Sequence, residues 1–249
     1  MITTKTRQQI ERMHSAGKYL AELLALLKET AVPGITTARL NEIAEGWLVR
    51  KKLYSPFKGY RGYPSSICVS VNEQVVHGIP GQKLIKNGDI VSIDAGVVFD
   101  GYVADAAITI PVGEVSEQLQ KLISITNRSL YYGISQMVEG NRLYDITYAI
   151  QSYTESYGYS LVKEFCGHGV GRKMHEDPQV PNCGHRPNTG PRLRSGWVLA
   201  IEPMVNMGSA GVKIESDGWT VVTNDGKPSA HFEHTVAITP NGPLILTAL

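Results

Sequence analysis

The chain has 249 residues, 42% of them apolar and 19% charged, with a formal net charge of +1. That length suffices for one large domain or two small ones around a substantial core, and the composition is that of an ordinary soluble globular protein. Nothing in this near-neutral balance argues for nucleic acid or an anionic membrane as the main partner.

The start, "MITTKTRQQIERMHSAGKYL", has no apolar core followed by a small-residue cleavage site, so no signal peptide is expected. Leu20, Leu23, Leu24 and Leu27 form an apolar stripe at helical spacing. The same run contains Glu22 and is too short to span a bilayer. "VPGITT" breaks the pattern, and Thr36 or Thr37 is placed to cap a second helix with Leu40, Ile43, Ala44 and Trp47 inward. After Pro56 the texture changes to strand and turn, through "SSICVSVNEQVVHGIPG" and "GDIVSIDAGVVFDGYVADAAITIPVG". Helical patterning returns from Ser116, and strand texture resumes after "LYDITYAIQSYTESYG". Cys68, Cys166 and Cys183 form no C-x-x-C pair and are odd in number, which suits reduced thiols in the cytoplasm.

The order is thus helices, sheet, helices, sheet, and pieces of the two halves match. "VPGITTARLNEIAE" lies over "VEGNRLYDITYAIQ", "KNGDIVSIDAG" over "RSGWVLAIEPM", and His77-Gly-Ile-Pro80 is echoed by His175-Glu-Asp-Pro178. Three matches in one order argue for a duplicated half. Two helix-plus-sheet halves sharing a sheet make an α+β fold, with the site expected on the pseudo-two-fold axis. A single catalytic domain over 1–249 is expected, with halves of roughly 1–115 and 116–249.

The alignment sets Glu202 on Asp94, which places acids where a buried strand favours apolar residues. An unpaired buried carboxylate is too costly to keep without compensation. Asp100-Gly101 is a strong two-residue hairpin signal. With that loop, Asp94 faces Ala107 and Asp105 becomes its diagonal neighbour, about 7 Å away. Glu202 in "VLAIEPMV" and Glu233 in "AHFEHTVAI" repeat the pattern of an acid in an apolar strand. His168 adds a nitrogen. Four carboxylates and one imidazole suit a pair of Mn, Fe or Co ions better than a thiolate or three-histidine zinc site.

"EFCGHGVGRKMHEDP" (164–178) poses a separate question, because its glycines resemble a phosphate loop. Neither phosphate template fits: Gly167, Gly169 and Gly171 give G-x-G-x-G, and Met174 follows Arg172-Lys173 where Ser or Thr is needed.

With these residues in place, the sequence resembles the type I methionine aminopeptidases of the pita-bread fold over essentially its whole length. "GYPSSICVSVNEQVVHGIPG", "SIDAGVVFDGYVAD", "GHGVGRKMHEDP", "IEPMV" and "DGWTVVTNDGKPSAHFEHTV" carry the resemblance in family order. It implies two pseudo-two-fold related halves around a curved antiparallel sheet. It implies two divalent ions per chain (Co, Mn, Fe or Zn), held by Asp94, Asp105, His168, Glu202 and Glu233. His77 and His175 become the non-ligand histidines that hold substrate, with Glu202 as the catalytic base. Phe57, Tyr60, Tyr63, Cys68 and Trp219 become the walls of the methionine pocket. The glycines then serve to turn the backbone, so that His168 reaches metal and His175 the substrate carbonyl. The implied activity is removal of methionine from the N-termini of nascent polypeptides, before a small second residue. The ribosome is a further implied partner, with no DNA or membrane, and a monomer is expected.

Phe57 stands where many family members have cysteine, Met174 where an aromatic is commoner, and "DAG" and "DAAIT" replace frequent variants around the two Asp. Two other readings are a pita-bread protein that only binds peptides, and a proline-specific peptidase. A complete ligand set weighs against the first, and the lack of a preceding domain against the second. His14 and His185 are expected at the surface. Arg186, Arg192 and Arg194 are expected on a solvated loop, with ribosomal RNA the alternative contact. His231 and His234 flank Glu233, and the sequence leaves it open whether they support it.

Overall fold

The structure is a computed structural model and describes residues 1–248. Thr6 opens the first helix with a capping box: its hydroxyl accepts from the Gln9 amide, and the Gln9 side-chain oxygen accepts from the Thr6 amide. Helix α1 (Arg7–Thr30) buries the predicted leucine stripe together with Met13. Each such side chain contributes about 1.5–3 kcal/mol of apolar burial. Thr36 caps α2 (Thr37–Lys51) by accepting from the Arg39 amide.

Strands β1 (Ile67–Val71), β2 (Gln74–Val76), β3 (Ile90–Phe99) and β4 (Tyr102–Pro111) follow. Ser116 then caps α3 (Glu117–Ser135), and α4 (Leu143–Ser156) completes the second helix pair. The remainder is strand: β5 (Ser160–Leu161), β6 (Gly167–Gly169), β7 (Glu176–Val180), β8 (Val198–Ile201) and β9 (Met204–Asn206). After these come β10 (Val212–Ile214), β11 (Val221–Thr223), β12 (Ser229–His231), β13 (Glu233–Thr239) and β14 (Gly242–Ile245). None of the described helices is long and apolar enough to cross a membrane.

The main sheet runs β1-β3-β4-β13-β8-β6-β7, with β14 also paired to β13, and its pairings are antiparallel. Up to β6 the order is a palindrome. Strands β1, β3 and β4 mirror β6, β8 and β13, and the seam of the duplication lies between β4 and β13. This is the α+β architecture that the repeated sequence implies, with the two halves around one antiparallel sheet that the resemblance leads one to expect.

Each helix pair covers one half of a single sheet face. Ile93, Ala95, Val97, Ala104 and Ala106 pack with Leu20, Leu23, Leu27 and Leu40. Leu199, Ile201, Val236 and Ile238 pack with Leu122, Leu130, Ile146 and Ile150. Because side chains alternate along a strand, the intervening positions Asp94, Asp105, Ala200 and Glu233 face the other way. The helices therefore leave the opposite face of the sheet free to carry polar residues.

Candidate active site

The β3–β4 hairpin closes through Asp100 and Gly101 alone, both at positive φ (50° and 74°), as a two-residue turn of this type requires. That loop pairs Asp94 with Ala107 and Gly96 with Asp105, the register the sequence predicts. Across the seam Glu233 also pairs with Ala107. Asp94 and Glu233 thus flank one small buried residue, and Asp105 lies two positions along β4. On the other half, Ala200 stands between His168 and Thr235.

Glu202 departs from expectation. It lies just beyond β8, in a break made with Pro203 before β9 begins, and not within a strand. Proline donates no ladder bond, so the chain leaves the main sheet here and joins the small β12-β9-β5 sheet. The break swings Glu202 toward the others: its Oε1 is 3.6 Å from His168 Nε2 and its Oε2 is 3.9 Å from His231 Nε2.

His168 sits in β6 with Nδ1 2.9 Å from the Gly169 carbonyl. An Nδ1–H donated there leaves the Nε2 lone pair free, and Nε2 lies 3.7 Å from Asp105 Oδ2. The flanking glycines serve close packing more than turning. A Cβ on Gly167 would collide with the Ala200 carbonyl, and one on Gly169 with the Asp177 carbonyl.

Among the described residues, two groups bring ligand-type atoms within 4.8 Å of one another: Asp105, His168 and Glu233, and Glu202, His231 and Glu233. Asp94 stands outside both groups and His231 inside one, unlike the five residues the resemblance implies. Burial raises all four carboxyls: Asp105 to about 7, and Asp94, Glu202 and Glu233 well above the usual range, with neighbouring acids adding to the last three. Buried Asp94 Oδ1, Asp105 Oδ1, Glu233 Oε1 and both His231 ring nitrogens have no hydrogen-bond partner. Acids so placed ionise together only against positive charge. Carboxylate oxygens with one or two neutral imidazoles are the donor set of a divalent cation, so the residues present fit a metal.

Beside the acids lies a cavity of about 330 Å³, lined by Phe57, Tyr60, Tyr63, Cys68, His77, Asp94, Asp105, His168, His175, Glu202, Trp219 and Glu233. Every site residue singled out in the sequence is in that lining. Phe57, Tyr63 and Cys68 form a buried cluster with Ile79, Met174 and Trp219 against it. His77 takes a left-handed conformation (φ 59°) directly after β2, an unusual state for a non-glycine residue. Its ring meets Phe165 and Trp219 edge-on. The His175 ring lies 4.2 Å from that of His168, and its Nδ1 is 2.9 Å from the Tyr60 hydroxyl. Burial, followed by the neighbouring His175, lowers His77 and His168 to about 4. Burial and then Arg61 lower His175.

The flanking histidines separate by strand alternation. His231 is buried among the acids, whereas His234 faces α3, bonding Thr247 Oγ1 at 2.8 Å and approaching Tyr131 at 3.3 Å. His14 and His185 are both half-buried and not free surface residues; His185 stacks on Tyr144 at 3.8 Å. Arg186, Arg192 and Arg194 are exposed, as expected. Sequence reasoning missed Arg61, Glu164, Phe165, Cys166 and Gln179 in the lining. Glu164, Phe165 and Cys166 stand in the stretch 164–178 and were the ones within reach.

Residues 11–240 match the family described as metallopeptidase family M24. The chain belongs to this metallopeptidase family. Among M24 relatives it is 56% identical, over 249 residues and all of both chains, to a methionine aminopeptidase of Clostridium perfringens. It is 51% identical to methionine aminopeptidase 1 of Bacillus subtilis, over 99% of each chain. The solved methionine aminopeptidase of Thermotoga maritima superposes with a TM-score of 0.97 at 46% identity, covering 100% of each chain. A prolidase from Pyrococcus furiosus shares the fold, with a TM-score of 0.78 at 22% identity over 99% of this chain and 65% of that one. At this identity over the full chain, the type I methionine aminopeptidases are the branch of M24 to which it belongs, and M24 enzymes are metal-dependent hydrolases.

Proposed function

We infer that the protein removes methionine from the N-termini of peptides and nascent chains, by hydrolysis at a divalent-metal centre. The observation that carries this reading is the cluster of four acids beside His168, Asp105 and Glu233 buried and Asp94 and Glu202 half-buried, opening on an aromatic and thiol-lined cavity, in a chain 56% identical to a methionine aminopeptidase. Asp94, Asp105, His168, Glu202 and Glu233 would hold two ions, and the orphaned His231 nitrogens make that side chain a candidate supporter. Metal bound there supplies Lewis-acid chemistry, acidifying water and polarising a carbonyl oxygen.

The chain's own residues do the rest. Glu202, with 14% of its side chain exposed, is the base that takes the water's proton and passes it to the leaving amine. His77 and His175, held neutral, offer N–H groups to the substrate carbonyl as negative charge develops on its oxygen. Tyr60 orients His175 through the bond to Nδ1. Phe57, Tyr63, Cys68 and Trp219 enclose the first side chain, where a thioether makes favourable contacts with aromatic edges. Residues 1–249 act as one catalytic unit whose halves, roughly 1–115 and 116–249, meet at the β4–β13 seam. Its setting is the cytoplasm, in keeping with three free cysteines.

The test is release of methionine from Met-Ala-Ser by chelated enzyme, and by the same enzyme after addition of Mn, Fe or Co. Activity is expected only with metal. Full hydrolysis by thoroughly demetallated protein, or none under any metal, overturns the reading.

A further inference from the structure

Lysine is rarely buried without a partner, yet Lys5, in the arm before α1, is only 8% exposed. Its Nζ lies 2.8 Å from Glu176 Oε2, and this ion pair leaves 6% and 14% of the two side chains exposed. The same Nζ donates to Thr3 Oγ1 at 2.6 Å, and Thr3 Oγ1 in turn donates to Glu176 Oε2. The other carboxylate oxygen, Oε1, accepts from the backbone amides of Arg172 and Lys173, at 3.0 and 3.3 Å. One carboxylate therefore ties the arm to both ends of the turn 171–176.

That turn carries His175, the residue immediately before Glu176. The packing leaves no slack: a Cβ on Gly171 would meet Glu176 Oε1 at 2.6 Å and Lys5 Cε at 2.8 Å. The arm is anchored in its turn, because the Lys5 amide donates to the Gly196 carbonyl at 2.8 Å, just before β8. On its far side the His175 ring bonds the Tyr60 hydroxyl and packs against the Tyr60 and His168 rings. Where that ring can sit against His168 depends as well on the backbone that Glu176 clamps.

We propose that Lys5 and Glu176 are a positioning pair, through which the N-terminal arm holds His175 in place for catalysis. Neither residue lines the 330 Å³ cavity. Glu176 does line the adjoining pocket with His168 and His175, but its carboxylate oxygens are taken up by Lys5, Thr3 and the turn amides, so the pair acts through His175. The proposal rests on the reading of His175 as a substrate-binding group. Geometry of this kind is valuable because a displacement of about 1 Å far from the chemistry can cost up to about a hundredfold in rate.

The experiment is a cycle of Lys5→Met, Glu176→Gln and His175→Ala, assayed on Met-Ala-Ser with bound metal and thermal midpoint measured for each variant. Lys5→Met should lower kcat by tenfold or more, on the scale of about a hundredfold for a misplaced group, with metal content unchanged. Lys5→Arg should restore most of it. In the His175→Ala background, Lys5→Met should have no further effect on kcat. The ring-proton NMR signals of His175, identified by their loss in His175→Ala, should shift or broaden in Lys5→Met. Glu176→Gln keeps the shape of the side chain, and serves as the second variant if Lys5→Met folds poorly. An equal loss of kcat with and without His175, or an unchanged kcat, overturns the pairing. Full activity of His175→Ala itself would instead overturn the reading on which it rests.

Discussion

One hydroxyl grips Asp105 from across the seam of the duplication. The Asp105 amide donates to Thr235 Oγ1 at 3.0 Å, and the same oxygen donates to the Asp105 carbonyl at 2.8 Å. Strand pairing between β4 and β13 is short, confined to Glu233–Ala107 and His234–Ala106, so this side chain continues a ladder that the backbone abandons. Thr235→Val keeps the shape and removes both bonds, leaving a buried amide unpaired. Unfolding in urea should show a loss of about 1–3 kcal/mol. A loss no larger than an ordinary surface substitution, about 0.5 kcal/mol, would show the hydroxyl to be dispensable.

Metal ligands and substrate-binding histidines should separate in one experiment. Asp105→Asn and Glu233→Gln are expected to lose bound metal and activity together. His175→Ala should keep its metal and lose about 2.7–4 kcal/mol of transition-state stabilisation, as removal of an oxyanion donor does. Metal content of each purified variant checks the assignment, and a metal-free His175→Ala would place that histidine among the ligands.

Demetallated protein should become less stable as pH rises above 6.5. A carboxyl whose folded pKa is raised binds more protons in the native state than in the unfolded chain, so its contribution is present at low pH and lost as pH climbs through the folded value. Burial raises Asp105 to about 7, and burial with neighbouring acids raises Asp94, Glu202 and Glu233 well above the usual carboxylate range. The buried histidines act in the opposite sense. His168 and His234 are lowered to about 4 and His231 to about 3 from an ordinary 6.5, chiefly by burial, so their opposing effect dies away within about one unit above pH 6.5. Between pH 6.5 and the ordinary cysteine value of 9.0 the acids dominate. Thermal midpoints of chelated protein should fall across that interval, and metal should flatten the curve. A midpoint that rises with pH in the chelated sample would contradict the account.

Phe57 is buried against Tyr63 and Cys68 and lines the cavity, where its ring takes up room that a smaller side chain would leave open. An unbranched thioether enters a narrow slot more easily than a γ-branched leucine. Discrimination of this kind is worth roughly 1–3 kcal/mol, so Met and norleucine should be cleaved well and Leu poorly. Phe57→Cys should relax that preference with metal content unchanged. The comparison is kcat/KM on Met-, norleucyl- and Leu-Ala-Ser for both forms; an unaltered Met-to-Leu ratio would mean that Phe57 does not shape the pocket.

Much of the fold was readable along the chain because it rests on short-range chemistry. The leucine stripe of α1, the Thr36 cap and the Asp100-Gly101 turn each depend on residues within a few positions of one another. From that turn, the period of two along a strand was enough to set Asp94 opposite Ala107 with Asp105 on the diagonal. The repeated halves were visible for the same reason, since each half carries its own local pattern. Tertiary structure decided what local pattern cannot reach. His231 and His234 look equivalent beside Glu233, but the kink at Phe232 and the alternation of β13 turn one into the acids and the other onto α3. Glu202 reads as a strand residue, yet Pro203 breaks the ladder and swings it toward His168. Nothing within a few positions of Lys5 marks it out, and only the fold, by laying the arm against the turn 171–176, buries it against Glu176. Periodicity records which way a side chain leaves its own strand or helix; what it then meets depends on how distant elements pack.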